Sequence, residues 1–275
     1  MAMAAKNNQS RIAAAFDRSH GGRMRSATVD RIYRAAFGDD YPETAQPNAF
    51  YSRTTLERLA RALHVGPGQT VVDLGCGHGG PALWVARQTG ATMIGIDLSP
   101  VGIDLARRRA AEIGLSDQAR FEGGDVTETG LPDASCDAAM SLDVLWALPD
   151  KAAALREVAR ILRPGGRFAF TTWEQIEPAA LRPHPLLKSS DNAAYHPLEH
   201  HRLLEEAGLV VETCEEPSDW RRQQQALAEG IVANEAEVTQ DMGAHYPAMA
   251  RSFLANLPAV RYLFIVAQRP LGGFQ

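Results

Sequence analysis

The chain has 275 residues, enough to bury a sizeable core as one large domain or one domain with a cover. Apolar residues make up 45% and charged residues 22%, as in soluble enzymes, and a formal net charge of −5 disfavours a nucleic-acid partner. The three cysteines, Cys76, Cys136 and Cys214, are scattered and form no Cys-x-x-Cys pair, so neither a disulfide framework nor a structural metal is implied.

Residues 1–10 carry no long apolar run, so no secretory signal or membrane span is expected, and the location expected is cytoplasmic. Residues 1–8 read as unstructured. Across residues 11–37, Ile12, Phe16, Val29, Ile32, Tyr33 and Phe37 recur at helical spacing, with a break at Gly21-Gly22 that predicts two helices. Residues 38–47 form a polar turn holding Tyr41. A helix over 52–63 starts from a Ser52 cap.

Residues 71–80 read Val-Val-Asp-Leu-Gly-Cys-Gly-His-Gly-Gly: a buried strand, a glycine turn and the start of a helix. Such a turn suits the electron-rich part of a nucleotide-like cofactor. Gly75, Gly77 and Gly80 satisfy Gly-x-Gly-x-x-Gly, a weak signal by itself. Asp73 discriminates: a carboxylate there repels a pyrophosphate and instead accepts hydrogen bonds from an ammonium group. S-adenosylmethionine, with an amino-acid end, a sulfonium and no phosphate, suits that position better than a nicotinamide dinucleotide. The plainer alternative is a capping aspartate in a strand–turn–helix unit.

A helix over 81–89 and a strand over 91–96 lead to Asp97, 97 − 73 = 24 residues on, which is one strand–helix–strand unit. An acid at that strand end can take both ribose hydroxyls; the alternative is a helix cap, which Ser99 could provide alone. Residues 100–113 read as a helix, whose Arg107-Arg108-Arg109 run is read as a solvated face. A third strand over 119–122 precedes Asp125 and Val126, placed to meet an adenine through a carboxylate and an amide N–H. A fourth strand over 137–142 ends in the loop 143–150. Loops at carboxyl strand ends of open parallel sheets bind ligands. A helix over 151–162 stops at Pro164-Gly165-Gly166, and a fifth strand spans 167–172. Strands are also expected at 209–214 and 260–268, with a helix over 197–207 and a helical insertion over 219–256.

The set of residues 71–80, 95–99, 124–126, 148–150 and 155–166 resembles, in order and spacing, the class I S-adenosylmethionine-dependent methyltransferases. The resemblance implies an α/β, Rossmann-like, seven-stranded, mostly parallel sheet with an antiparallel last strand, helices on both faces and a helical lid. It divides the chain into N-terminal helices covering the active site (1–63), a cofactor-binding core (64–216), a lid insertion (217–258) and a last core strand (259–275). The cofactor residues it implies are Asp73, Gly75, Cys76, Gly77, Asp97, Leu98, Asp125, Val126 and Ser141. Chain length, N-terminal helices and residues 261–270 look most like small-molecule natural-product methyltransferases such as the sugar O-methyltransferase of rebeccamycin biosynthesis. That subgroup carries two adjacent histidines after strand four, where Trp146 and Ala147 stand here, and an aspartate where Thr172 stands. Its base therefore does not carry over.

The expected activity is methyl transfer from S-adenosylmethionine to a small-molecule acceptor, with no nucleic acid, membrane or metal involved. An NAD-dependent oxidoreductase and a non-catalytic S-adenosylmethionine binder stay as alternatives. Substitute bases are Glu174, His184 and His196. Tyr41, Asp143, Trp146 and Trp173 are acceptor-contact candidates, the tryptophans as an aromatic wall whose faces attract cations.

Overall fold

The computed structural model describes residues 2–176 and 199–272. Helix α1 (Ala2–Arg23) starts where no structure was expected and runs through Gly21-Gly22. The chain turns instead at residues 24–26, and Ser26 caps α2 (Ala27–Phe37) by accepting from the Val29 amide. Gly22 serves packing, not a turn: a Cβ there would lie 2.2 Å from the Asp241 carbonyl oxygen. The apolar positions of α2 recur at three and four residues, so Val29, Ile32, Tyr33, Ala36 and Phe37 are all buried. Helix α3 (Arg53–Leu63) has Ser52 as its cap and buries Leu56, Leu59 and Leu63. Each of these leucines contributes about 1.5–3 kcal/mol through burial.

Seven strands follow: β1 (Thr70–Leu74), β2 (Thr92–Asp97), β3 (Ala119–Gly123), β4 (Cys136–Leu142), β5 (Leu162–Gln175), β6 (Val210–Glu215) and β7 (Val260–Gln268). They form one sheet in the order β3-β2-β1-β4-β5-β7-β6. The first five pair in parallel, while β7 inserts antiparallel between β5 and β6. Val71 and Val72 are both buried because helices cover both faces. Helices α4 (Gly80–Thr89), α5 (Pro100–Glu112), α6 (Lys151–Ile161) and α7 (Glu199–Glu206) make the parallel crossovers and the covering layers.

Strand β5 is longer at both ends than expected. It begins directly after α6 and runs past Thr172 to Gln175, paired throughout its second half with β7. Trp173 and Glu174 therefore lie within the strand and point to opposite faces.

The insertion folds as α8 (Trp220–Ala233), α9 (Glu235–Met242) and α10 (His245–Asn256). Their apolar residues join α2 in a third core cluster, separate from the two that line the sheet faces. The Tyr33 and Tyr246 hydroxyls meet at 3.1 Å inside it. No described helix is long and apolar enough to cross a membrane.

Candidate active site

The chain leaves β1 toward one edge of the sheet and β4 toward the other, which opens a crevice at the carboxyl ends of these two neighbours. Gly75 follows β1 with φ 79°, a left-handed conformation that favours glycine, and the amides of Gly75 and Cys76 both donate to the Ile96 carbonyl at 2.8 and 3.1 Å. A Cβ on Gly75 would lie 2.5 Å from Val144 Cγ2, so the exit from β4 packs directly on the turn.

Asp73 sits beneath this turn, 2% exposed, and its Oδ2 has no hydrogen-bond partner. Burial, with a smaller push from Asp97, raises its carboxyl to about 8. Asp97 is half-buried at the end of β2. Its Oδ2 accepts from the Gly77 amide at 2.7 Å and its Oδ1 from the Ser99 amide at 2.8 Å. Ser99 caps α5, accepting from the Gly102 amide, and Asp17 takes the Val101 amide at 3.3 Å, so Asp97 is not that cap.

Asp125 follows β3 and holds Thr127 through the amide and hydroxyl, both at 2.8 Å. Its neighbour Val126 is buried in the core, and Leu98 is exposed at the lip. The Cys76 thiol is buried in the turn, which pushes its pKa well up. Ser141 donates to the Leu74 carbonyl at 2.8 Å and ties β4 to the end of β1.

Past β4, Asp143 takes a left-handed conformation, φ 59°, unusual for a residue other than glycine. Its amide donates to Thr171 Oγ1 at 3.0 Å. Its carboxylate accepts from Trp173 Nε1 at 2.8 Å and from the Phe50 amide at 3.1 Å. Desolvation outweighs these donors and a further hydrogen bond from Trp146, and lifts the carboxyl to about 6. Trp146 donates through Nε1 to the Asp143 carbonyl at 2.8 Å, fixing the turn from the other side. Trp173 packs on Tyr262, Phe253, Trp220 and Phe50 with ring centroids 4.7–6.1 Å apart, and the Tyr262 hydroxyl donates to the Phe50 carbonyl at 2.6 Å.

The remaining sequence candidates lie elsewhere. Glu174 is 1% exposed, on the face opposite Trp173, in an ion pair with Arg261. Tyr41 spends its hydroxyl on Asp30 and Arg23 and lines a separate groove with Arg53 and Trp84. His184 and His196 fall outside the described residues.

Residues 72–170 match the family described as a methyltransferase domain. Methyltransferase GfsG of Streptomyces halstedii is 32% identical over 75% of this chain and 78% of its own. The chain belongs to the S-adenosylmethionine-dependent methyltransferases. It is also 29% identical to 27-O-demethylrifamycin SV methyltransferase of Amycolatopsis mediterranei (strain S699), over 78% of this chain and 82% of that one. Among solved structures, the [4+2]-cyclase SpnF superposes with a TM-score of 0.70 at 27% identity, covering 79% of this chain and 80% of that one. Other structures of the same fold hold S-adenosylmethionine.

The residues of this methyltransferase fit that donor. A buried carboxylate with one oxygen unpartnered, beside a left-handed glycine turn, suits the ammonium end of S-adenosylmethionine and not a diphosphate. The sequence reading gave residues 44–47 of the methyltransferase only as part of a polar turn and residues 48–51 no site role, yet this stretch lies along the glycine turn. Arg109 is buried, unlike its neighbours Arg107 and Arg108. It donates to the carbonyls of His78 at 3.0 Å and Thr44 at 2.9 Å, clamping this stretch to the turn. Helix α1 closes over the same place. Asp17 accepts from Ser99 Oγ at 2.5 Å, and His20 packs on Gly77 and stacks on His78. Burial lowers the His20 pKa against the pull of Asp97 and Asp17. A helix-borne arginine and histidine carry no motif, so only their partners reveal them.

Proposed function

We propose that this methyltransferase transfers a methyl group from S-adenosylmethionine to a hydroxyl of a small, largely apolar natural product, with Asp143 accepting the proton. The sulfonium, when bound, supplies an electrophilic methyl. The chain must then align the acceptor, exclude water and remove the acceptor proton. The observation that carries the reading is the Asp143 carboxylate. It is locked by Trp173 and the Phe50 amide at the crevice, next to the Val144 contact with the glycine turn. An ionised carboxylate has about four lone-pair sites. Phe50, Trp173 and Trp146 engage three of them, which leaves one for an acceptor hydroxyl.

Asp143 supplies the base that Trp146 and Ala147 cannot, so the likeness to the rebeccamycin sugar O-methyltransferase extends to chemistry with a different proton acceptor. The aromatic group around Trp173 favours an apolar or planar acceptor. The Amycolatopsis relative, named for 27-O-demethylrifamycin SV, supports a secondary-metabolite hydroxyl. Asp73 is assigned to the cofactor ammonium, Asp97 to the ribose, and Asp125 with Val126 to the adenine. The N-terminal helices and residues 217–258 form the lid that gives acceptor specificity.

The test is incubation with S-adenosylmethionine and a panel of macrocyclic alcohols, phenols and amines, read by mass spectrometry, in wild type and Asp143→Asn. An O-methylated product that disappears in the variant while S-adenosylhomocysteine binding persists supports the reading. Methylation only at nitrogen, or conversion of an acceptor with no S-adenosylhomocysteine released, would sink it.

A further inference from the structure

Five buried side-chain polar atoms among the described residues lack a hydrogen-bond partner, and three of them border one turn. Asp73 Oδ2 lies before it. Tyr51 Oη, on a residue 2% exposed, is 3.1 Å from where a Cβ on Gly80 would stand, at the start of α4. Asn48 Oδ1 belongs to a side chain whose Nδ2 meets His20 Nδ1 at 3.0 Å, and that imidazole rests on Gly77. Buried polar atoms without partners cost roughly 1–3 kcal/mol each. Three around one turn mark a place built for a polar ligand group.

We infer that Asn48 and Tyr51 are the second half of the subsite for the amino-acid end of S-adenosylmethionine, opposite Asp73. An α-ammonium has three N–H donors. Asp73 Oδ2 and Asn48 Oδ1 accept two of them, and the Tyr51 hydroxyl donates to the α-carboxylate. Burial keeps the Tyr51 phenol protonated and so a donor. The frame is rigid. Arg109 holds the carbonyls of Thr44 and Ala45 at 2.9 and 3.3 Å, and His78 Nε2 meets the Gln46 carbonyl at 2.8 Å. The stretch that carries Asn48 and Tyr51 is thus fastened at three points to the turn that carries the glycines. This assignment rests on the cofactor shared by the family and adds two recognition residues outside its glycine motif.

The experiment is calorimetric titration of the full chain with S-adenosylhomocysteine and with 5′-methylthioadenosine, which keeps the nucleoside and lacks the amino-acid end. Tyr51→Phe removes one hydroxyl and keeps the ring. It is expected to weaken S-adenosylhomocysteine binding about tenfold or more while leaving 5′-methylthioadenosine affinity unchanged. Asn48→Ala should show the same split, and serves if the first variant folds poorly. Equal losses for both ligands would reduce the two residues to packing. Unchanged S-adenosylhomocysteine affinity would refute the contact itself. A wild type that binds neither ligand would instead overturn the cofactor reading from which the assignment starts.

Discussion

Two buried carboxylates stand at the carboxyl ends of neighbouring parallel strands and differ in what surrounds them. Asp73, at the end of β1, has an oxygen with no partner and is pushed up to about 8. Asp143, past β4, holds N–H donors from Phe50, Trp173 and Trp146 and rises only to about 6. Burial acts on both; the charge of Asp97 adds to it at Asp73, and the donors hold it down at Asp143. The first carboxylate is incomplete until a cation arrives. The second is already positioned and ionised near neutral pH, which is the state a proton acceptor needs. On the proposed function, one strand order, read at its switch point, yields a binding group on one side and a reacting group on the other.

The sharpest way to break this contrast is Asp143→Asn. Removing a general base costs about 10²–10⁴ in kcat, and S-adenosylhomocysteine affinity should hold. In the wild type at saturating S-adenosylmethionine, kcat/KM for the acceptor should fall as pH drops through about 6, because the base works only when ionised, and that limb should vanish in the variant. A variant that keeps its turnover would make Asp143 a structural cap.

Asp73→Asn should do the reverse. Loss of the charge facing an ammonium in a buried site costs about 3 kcal/mol, so calorimetry should show S-adenosylhomocysteine affinity down about 100-fold. Affinity within a few-fold of wild type would remove Asp73 from the cofactor site.

Asp97→Ala should weaken the same titration by about 1–3 kcal/mol, since a half-buried acceptor of two backbone amides is lost with the ribose contact. Unchanged affinity would contradict the ribose assignment.

The last test is one of pH on binding. Below about 8 the free protein carries a proton on Asp73 that an incoming ammonium must displace. S-adenosylhomocysteine affinity should therefore climb by up to about tenfold per unit between pH 6 and 8, with proton release seen as a buffer-dependent enthalpy. A flat profile would mean that Asp73 is already ionised in the free protein.

Most of the fold was legible from the residues. Strand ends at Asp97 and Leu142, the Ser52 and Ser99 caps and a strand at 260–268 lie where local chemistry placed them, and its antiparallel direction is the one the family resemblance implied. The N-terminal break was misplaced because Gly21-Gly22 reads as a turn. Its actual use, close approach to α9, depends on a helix more than 200 residues away. The cofactor turn was readable because its glycines and Asp73 are contiguous in the chain. Glu174 looked available because strand five was read as ending too soon; two more residues turn its side chain to the far face.

By itself, the sequence determined the parallel core, the order of its motifs and the donor they accommodate, since each depends on residues within one strand–turn–helix unit. Only the tertiary structure decided that Asp143 is gripped by Trp173 and Phe50, that Arg109 is buried, and that Asn48 and Tyr51 border the glycine turn. Those facts depend on partners brought together by packing, and a single side chain carries no local signature of the distant atoms that will desolvate it or share its protons.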